Sequence, residues 1–471
     1  MRLFVKPTDS STVNSNSNKS RLSFWSLAIA SLALFFLYSC IQNVPGSTDV
    51  AQSEKAPAMS DKKSDPMKKE LDAAGSSGNP AEKKADSGEA ESEKDVALQA
   101  AAEHEALFAE SKFPSAATCG TCHPKQYKEW AVSSHSYAQL SPIYLSLSSE
   151  INELSSGSNG DFCLRCHSPI GANLGESPFI SNLDRHPTSR EGITCVVCHR
   201  LNKDYNKRSG RLALVQGSLL DPVYGPMGNE EMARVLKDDE FRVVTEEGKP
   251  GRKIHKEVKK FASLSQPIFC ATCHDVTLFN GFRLEEAFSE YRTSPAAKRG
   301  TTCQDCHMGK EQGVAAGYEV GPGAMVGGKP TKDRKLTSHF FAGPDYSVIH
   351  PGIFPHNAVA QEMASMREWL QFDHKAGWGT DEFEDKVTED TKFPVRWDSV
   401  DDRYDARDIL TQQFEHLEYA RGLRLEVLRN GYKLDEIVVQ KSDAEGIEFK
   451  VKVRNATDGH NVPTGFTGER L

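Results

Sequence analysis

Ten of the eleven cysteines in this 471-residue chain fall into one repeated pattern. It reads Cys119-Gly-Thr-Cys122-His123, Cys163-Leu-Arg-Cys166-His167, Cys195-Val-Val-Cys198-His199, Cys270-Ala-Thr-Cys273-His274 and Cys303-Gln-Asp-Cys306-His307. Two thiols three positions apart lie within one helical turn, where they can form thioethers to both vinyl groups of one porphyrin. The imidazole that follows can bind the iron. The pattern suits covalent attachment of five haem c groups. Structural zinc does not require a histidine directly after every second cysteine. Thioredoxin-like pairs would not recur five times without their βαβ context, and disulfides would not impose a constant two-residue gap.

The motifs all lie between Cys119 and His307, which leaves about 38 residues each, too little chain to wrap every macrocycle in its own globule. Haems must then supply much of the core and sit close together. Close porphyrins pass electrons among themselves, so the spacing favours a wire or a multi-electron site.

Fifteen histidines are present, and five six-coordinate irons would draw five further ligands from those outside the motifs. His135 ends Pro124-Lys-Gln-Tyr127-Lys-Glu-Trp130-Ala-Val-Ser-Ser-His135, which reads as a helix leaving the first motif. His339 follows the fifth motif among aromatic residues; His186 and His255 precede the third and fourth. These four are the candidate distal ligands. His460, in the turn-rich Gly459-His460-Asn-Val-Pro463-Thr464-Gly465, fits backbone pinning as well as ligation. His350 and His356 are weaker candidates, His104, His374 and His416 fit solvated positions, and Met308 fits packing beside a porphyrin.

The stretch Cys119-Gly-Thr-Cys-His-Pro-Lys-Gln-Tyr-Lys-Glu-Trp130, with Ser134-His135 beyond, resembles the opening of multihaem cytochromes of the cytochrome c-552/c-554 type. Gly192-Ile-Thr-Cys195 and Gly300-Thr-Thr-Cys303, each leading into its motif, resemble that family's later motifs. The similarity covers about residues 113 to 345. It implies an exported, mostly helical, loop-rich electron carrier, with His135 and His339 as distal ligands. Relatives include the haem domains of hydroxylamine-oxidising and nitrite-reducing enzymes. All five motifs here end in histidine, whereas the penta-haem nitrite reductases place lysine in one. No tyrosine cross-link context of hydroxylamine oxidation can be assigned.

The remaining chain must carry and position this centre. Leu22 to Ile41 runs without a charge after Arg2, Lys6, Lys19 and Arg21, which is the pattern of an export signal long enough to span a bilayer. Leu37-Tyr38-Ser39-Cys40 resembles a lipobox, so residues 1–41 are a lipidated signal or an uncleaved anchor. Residues 42–105 are rich in Ser, Lys, Glu, Ala and Gly and read as a disordered tether, with a reach of roughly 40 Å. Residues 106–345 form the pentahaem domain, and 346–430 a helical segment packed on it. There, Asn357 to Phe372 and Ala406 to about Arg429 carry helical periodicity. Residues 431–471 are β-rich: Ile447, Phe449, Val451 and Val453 alternate with charged residues as in a half-buried strand. The Gly-His-x-x-Pro-Thr-Gly segment resembles the start of β-sandwich modules appended to such cytochromes, and the sequence reads as truncated at its C-terminus.

The expected fold is thus mostly α with much irregular structure around covalently bound haems, ending in the start of a β-sandwich-like module. Only 38% of residues are hydrophobic, which is natural where cofactors fill the core. The formal net charge of −9 argues against nucleic acid as a partner. Ten propionates would deepen that charge and favour a basic docking patch on a soluble redox partner. The leading expectation is an extracytoplasmic, periplasmic, membrane-tethered cytochrome passing electrons between redox partner proteins. The alternative is a multihaem oxidoreductase acting on a small nitrogen or sulfur compound at one iron with an open position. A metal-storage or structural protein is the third class.

Overall fold

Several short helices start at a proline behind a capping serine, as at Ser141-Pro142, Ser168-Pro169 and Ser294-Pro295. The computed structural model describes residues 112–203, 212–278 and 280–465. Cys40, His104, the apolar run 22–41 and the segment 42–105 therefore lie outside the described residues. Among the described residues there are sixteen α-helices, most of one or two turns, and twelve strands. The strands pair only in twos, as six small ladders. The architecture is mixed and irregular, and no helix among the described residues is long and apolar enough to cross a membrane.

The helix leaving the first motif, α1 (Pro124–Ala131), starts at Pro124, where the missing N–H costs nothing. It stops four residues short of His135. Ser133 then caps a new turn, Ser134–Tyr137, by accepting from Ser136 N–H. This break turns His135 out of the line of α1. The next helix, α2 (Pro142–Leu154), repeats the device with Ser141 as cap.

Buried apolar side chains gather in four separate clusters, where domains of this kind usually build one contiguous core. The largest joins Tyr137 and Leu140 to Phe354, Trp369, Phe372, Trp397, Ala406 and Leu410. This packs the 346–430 segment against the stretch just after His135.

The stretch expected as one helix from Asn357 to Phe372 is two short helices, Ala358–Met363 and Met366–Trp369. Ala364 is extended between them, and Ser365 with Glu368 forms a capping box that restarts the helix. The helix expected from Ala406 begins earlier, as α3 (Val400–Gly431), because Ser399 caps it and Asp401 and Asp402 favour its N-terminus. It runs directly into β1 (Tyr432–Asp443), which pairs antiparallel with β2 (Gly446–Asn455). The alternating face of this hairpin is more open than expected: Leu434 is 69% and Ile447 61% exposed.

Candidate metal centres

Each motif is wound into a single helical turn. His123, His167 and His274 each donate a backbone N–H to the first cysteine of their own motif, at 2.9, 3.1 and 2.9 Å. Cys195–His199 and Cys303–His307 are helices outright. In the fifth motif Thr302 and Asp305 cap reciprocally. The winding puts both sulfurs of a motif on one side of the turn. All ten cysteines are free thiols and half-buried.

The motif imidazoles are oriented by carbonyls from distant segments. His123 Nδ1 donates to Gly323 O at 2.9 Å, His167 Nδ1 to Ala138 O at 3.0 Å and His199 Nδ1 to Tyr224 O at 2.8 Å. A carbonyl oxygen can only accept, so Nδ1 carries the proton and the Nε2 lone pair is left for a metal. Burial holds all five motif rings neutral, lowering each below its ordinary range and His307 to about 4. A neutral imidazole with its Nδ1 anchored is the state that ligates iron.

The same test sorts the other histidines. Two metal–nitrogen bonds of about 2 Å, plus the ring radii, separate opposed imidazole centroids by about 6 Å. His135 lies 6.2 Å from His274 by ring centroids, fully buried and pushed down to about 3. Phe341 packs against its ring at 4.3 Å. His460 lies 6.2 Å from His307, with the two rings within 12° of parallel. His339 is pushed down to about 4 by burial, with His199 adding to the shift, and its Nδ1 donates to Thr337 O at 2.9 Å. His255 is also lowered to about 4 by burial, with His123 and Arg200 adding to the shift.

His186, expected as a ligand, is placed otherwise. Its Nδ1 accepts from Thr188 N–H at 3.2 Å and caps the turn Pro187–Glu191, which leaves the ring proton on Nε2. His356 uses Nε2 on Ser136 O and stacks on Trp130. His350 spends both nitrogens, on Phe372 O and Gly352 N–H. For His460, whose sequence fits backbone pinning as well as ligation, the structure shows both a pinned loop and a facing motif ring.

His167 differs from the other motif histidines. Its charged-ring neighbour is His274, itself a motif residue, and its face is covered by Tyr144, parallel within 4° at 3.8 Å. Tyr144 also lines a cavity of about 820 Å³, together with Gln139, Asn152, Phe179 and Arg185.

The motifs touch one another through their thiols. Thiols of different motifs lie close enough to perturb one another: Cys195 is raised chiefly by Cys119, Cys273 by Cys166 and Cys303 by Cys270. Cys273 also senses Cys198. The fourth motif thus adjoins the second, third and fifth.

Beside the first and third motifs, Glu191 is buried, its Oε2 accepting from Ala116 N–H at 2.9 Å and from Thr194 Oγ at 2.7 Å. Burial pushes its carboxyl up to about 7. Between its unfolded value near 4.5 and about 7, the folded chain holds a proton that the unfolded chain has released. Stability therefore falls as pH rises through that window. A Glu191→Gln variant keeps an oxygen for both donors. It should flatten the dependence of the denaturation midpoint between pH 5 and 8 and gain roughly 3 kcal/mol at pH 8. An unchanged pH slope would mean that this carboxyl is not the titrating group.

Comparison with known proteins gives one family match: residues 118–200 fit the family described as "Cytochrome c554 and c-prime". The matched stretch contains the first three motifs. It supports a c-type cytochrome, with haem c bound covalently and electron transfer as its business. No curated protein and no solved structure matches the chain.

Proposed function

We propose that the chain is an exported, membrane-tethered cytochrome carrying five haem c groups, which passes electrons between redox partner proteins. The opposition of His135 to His274 at 6.2 Å carries this reading. Two neutral, buried imidazoles at that separation have the geometry of a six-coordinate iron site and no other evident use. Haem c, when bound, supplies a one-electron carrier at its iron. In this reading the cysteine pairs anchor the five groups and the anchored Nδ1 atoms aim each motif histidine. His255 serves opposite His123, His339 opposite His199 and His135 opposite His274. The thiol contacts support a branched path with the fourth site at its junction. The charge-free run from Leu22 to Ile41 supports export and a membrane tether, and the acidic net charge supports a basic docking face on a soluble partner.

One observation favours a second activity at the second site. The ring against His167 is that of Tyr144, at 3.8 Å, and a cavity adjoins that tyrosine. An iron there would keep an open position for a small nitrogen or sulfur compound.

Pyridine haemochrome analysis should give five haems per chain, and the reduced protein should bind carbon monoxide at one of them. Far fewer than five haems would overturn the cytochrome reading. Five low-spin haems inert to carbon monoxide would leave the relay and remove the second activity.

A further inference from the structure

We propose that His460 is the sixth ligand of the iron at the fifth motif, and that Glu290 is the residue that positions it. The inference rests on reading the chain as a multihaem cytochrome but adds a ligand from a segment outside the haem-motif region. The His307 and His460 rings are 6.2 Å apart and nearly parallel, too far for the face contact that Tyr144 makes with His167 at 3.8 Å. One metal ion fits that gap. His460 Nδ1 donates to Asn461 O at 2.7 Å, so its Nε2 lone pair is free, as in His123, His167 and His199. This local bond fixes the tautomer that ligation requires.

The loop carrying His460 follows β2 and is strapped to the chain that leads into the fifth motif. The Glu290 carboxylate, on the helix Ala287–Thr293, accepts from Asn461 N–H at 3.0 Å and from Thr464 Oγ1 at 2.7 Å. Those two contacts flank the ligand on its C-terminal side. On the other side, Arg299 pairs with Asp458 at 2.7 Å, and Ala296 N–H donates to Asp458 O at 3.2 Å. Asn455 Nδ2 holds the His460 carbonyl itself at 2.8 Å. Glu290, Ala296 and Arg299 precede Cys303 by thirteen, seven and four residues, so the strap is docked on the motif's own approach. The distance between His307 and His460 is thereby set through a short, rigid path. Glu290 touches neither ring; it acts through the loop.

The full-length chain, matured with its haems, provides the test. His460→Ala should retain five haems per chain, yet convert one from low-spin to high-spin in the ferric resonance spectrum. Added imidazole should restore the low-spin signal, which would not follow from a merely structural role. His460→Met should keep that haem six-coordinate while raising its midpoint potential, and it serves where the alanine variant fails to accumulate. Glu290→Ala should show a mixture of low-spin and high-spin signal at the same haem, and Glu290→Gln, which keeps an acceptor oxygen, should stay low-spin. An unaltered low-spin set in both His460 variants, at five haems per chain, would overturn the ligand assignment. A fully low-spin Glu290→Ala protein would overturn the positioning role. If peptide mass spectrometry of the unmodified chain found no haem on Cys303 and Cys306, the cytochrome reading itself would fail, and separably from both.

Discussion

A chain carrying Cys270→Ser, Cys273→Ser and His274→Ala should hold four haems and fill with electrons in separated kinetic phases. The unmodified chain, mixed with the same small reductant, should equilibrate all five together. The expectation follows from which thiols meet. Cys273 is raised by the neighbouring Cys166 and Cys198, and Cys303 by Cys270. The fourth site is therefore the common neighbour of the second, third and fifth. The first and third sites keep their own contact through Cys119 and Cys195 and should still exchange electrons. The matched control removes the second site instead, with Cys163→Ser, Cys166→Ser and His167→Ala. That variant also falls to four haems, but it leaves the line from the first site through the third and fourth to the fifth. It should keep a single fast phase. Equal slowing in both variants would show that losing any macrocycle loosens the core, and the junction would have no special standing. Because His135 opposes His274 across the same site, His135→Ala offers a milder version. It should keep the fourth haem attached and turn it high-spin.

How much of this centre is legible in the sequence depends on whether a signal is local. Attachment is local: two cysteines and a histidine within one turn announce it five times. His135 is nearly local, since a short interrupted helix carries it away from the first motif. The ring it faces, however, is His274 of the fourth motif, because Ser133 breaks α1 and redirects the chain. Which carbonyl anchors which Nδ1 is not local at all. Gly323, in a turn between two short strands, and Tyr224, in the strand Val223–Gly225, reach His123 and His199 from segments whose sequence carries no address. His460 failed to stand out for the same reason. Its loop reads as a pinned turn, and the pin, Glu290, is an ordinary acidic residue of a short helix. His186 shows the reverse case. Its position before the third motif looked suitable, but a nearby threonine N–H claims the nitrogen whose proton would have freed the other for iron. The capping box at Ser365 and Glu368 was readable and outweighs the apolar periodicity that suggested a continuous helix. Alternation in β2 told which side chains share a face; it could not tell what covers that face.

Arg403→Met should destabilise the folded chain by about 3–5 kcal/mol, because it leaves a buried carboxylate without its cation. Arg403 is 2% exposed. Its Nε donates to Glu384 Oε1 at 2.9 Å, and its remaining N–H groups bind Glu384 Oε2 and the Trp397 and Asp398 carbonyls at 2.5, 2.8 and 2.9 Å. The Phe393 ring lies 3.7 Å from the guanidinium carbon. Methionine fills most of the volume but donates nothing, so the two carbonyls lose this donor and the carboxylate keeps only the Gly379 N–H, at 2.8 Å. At 2–4 °C per kcal/mol for a large domain, the thermal midpoint should fall by about 10 °C. Adding Glu384→Leu removes the stranded charge, and the double variant should recover most of the loss. A double variant no better than the single would place the cost in the carbonyls and in packing. The effect should reach the metal centres through α3. Glu426 on that helix accepts from Gln312 N–H at 3.1 Å, and the neighbouring Gly313 N–H donates to Cys306 O at 2.9 Å. The end of α3 is thus two hydrogen bonds from the fifth motif. Loss of low-spin absorption at that site should therefore track the thermal unfolding of α3 rather than follow it, which heating with simultaneous visible and far-ultraviolet detection would measure directly.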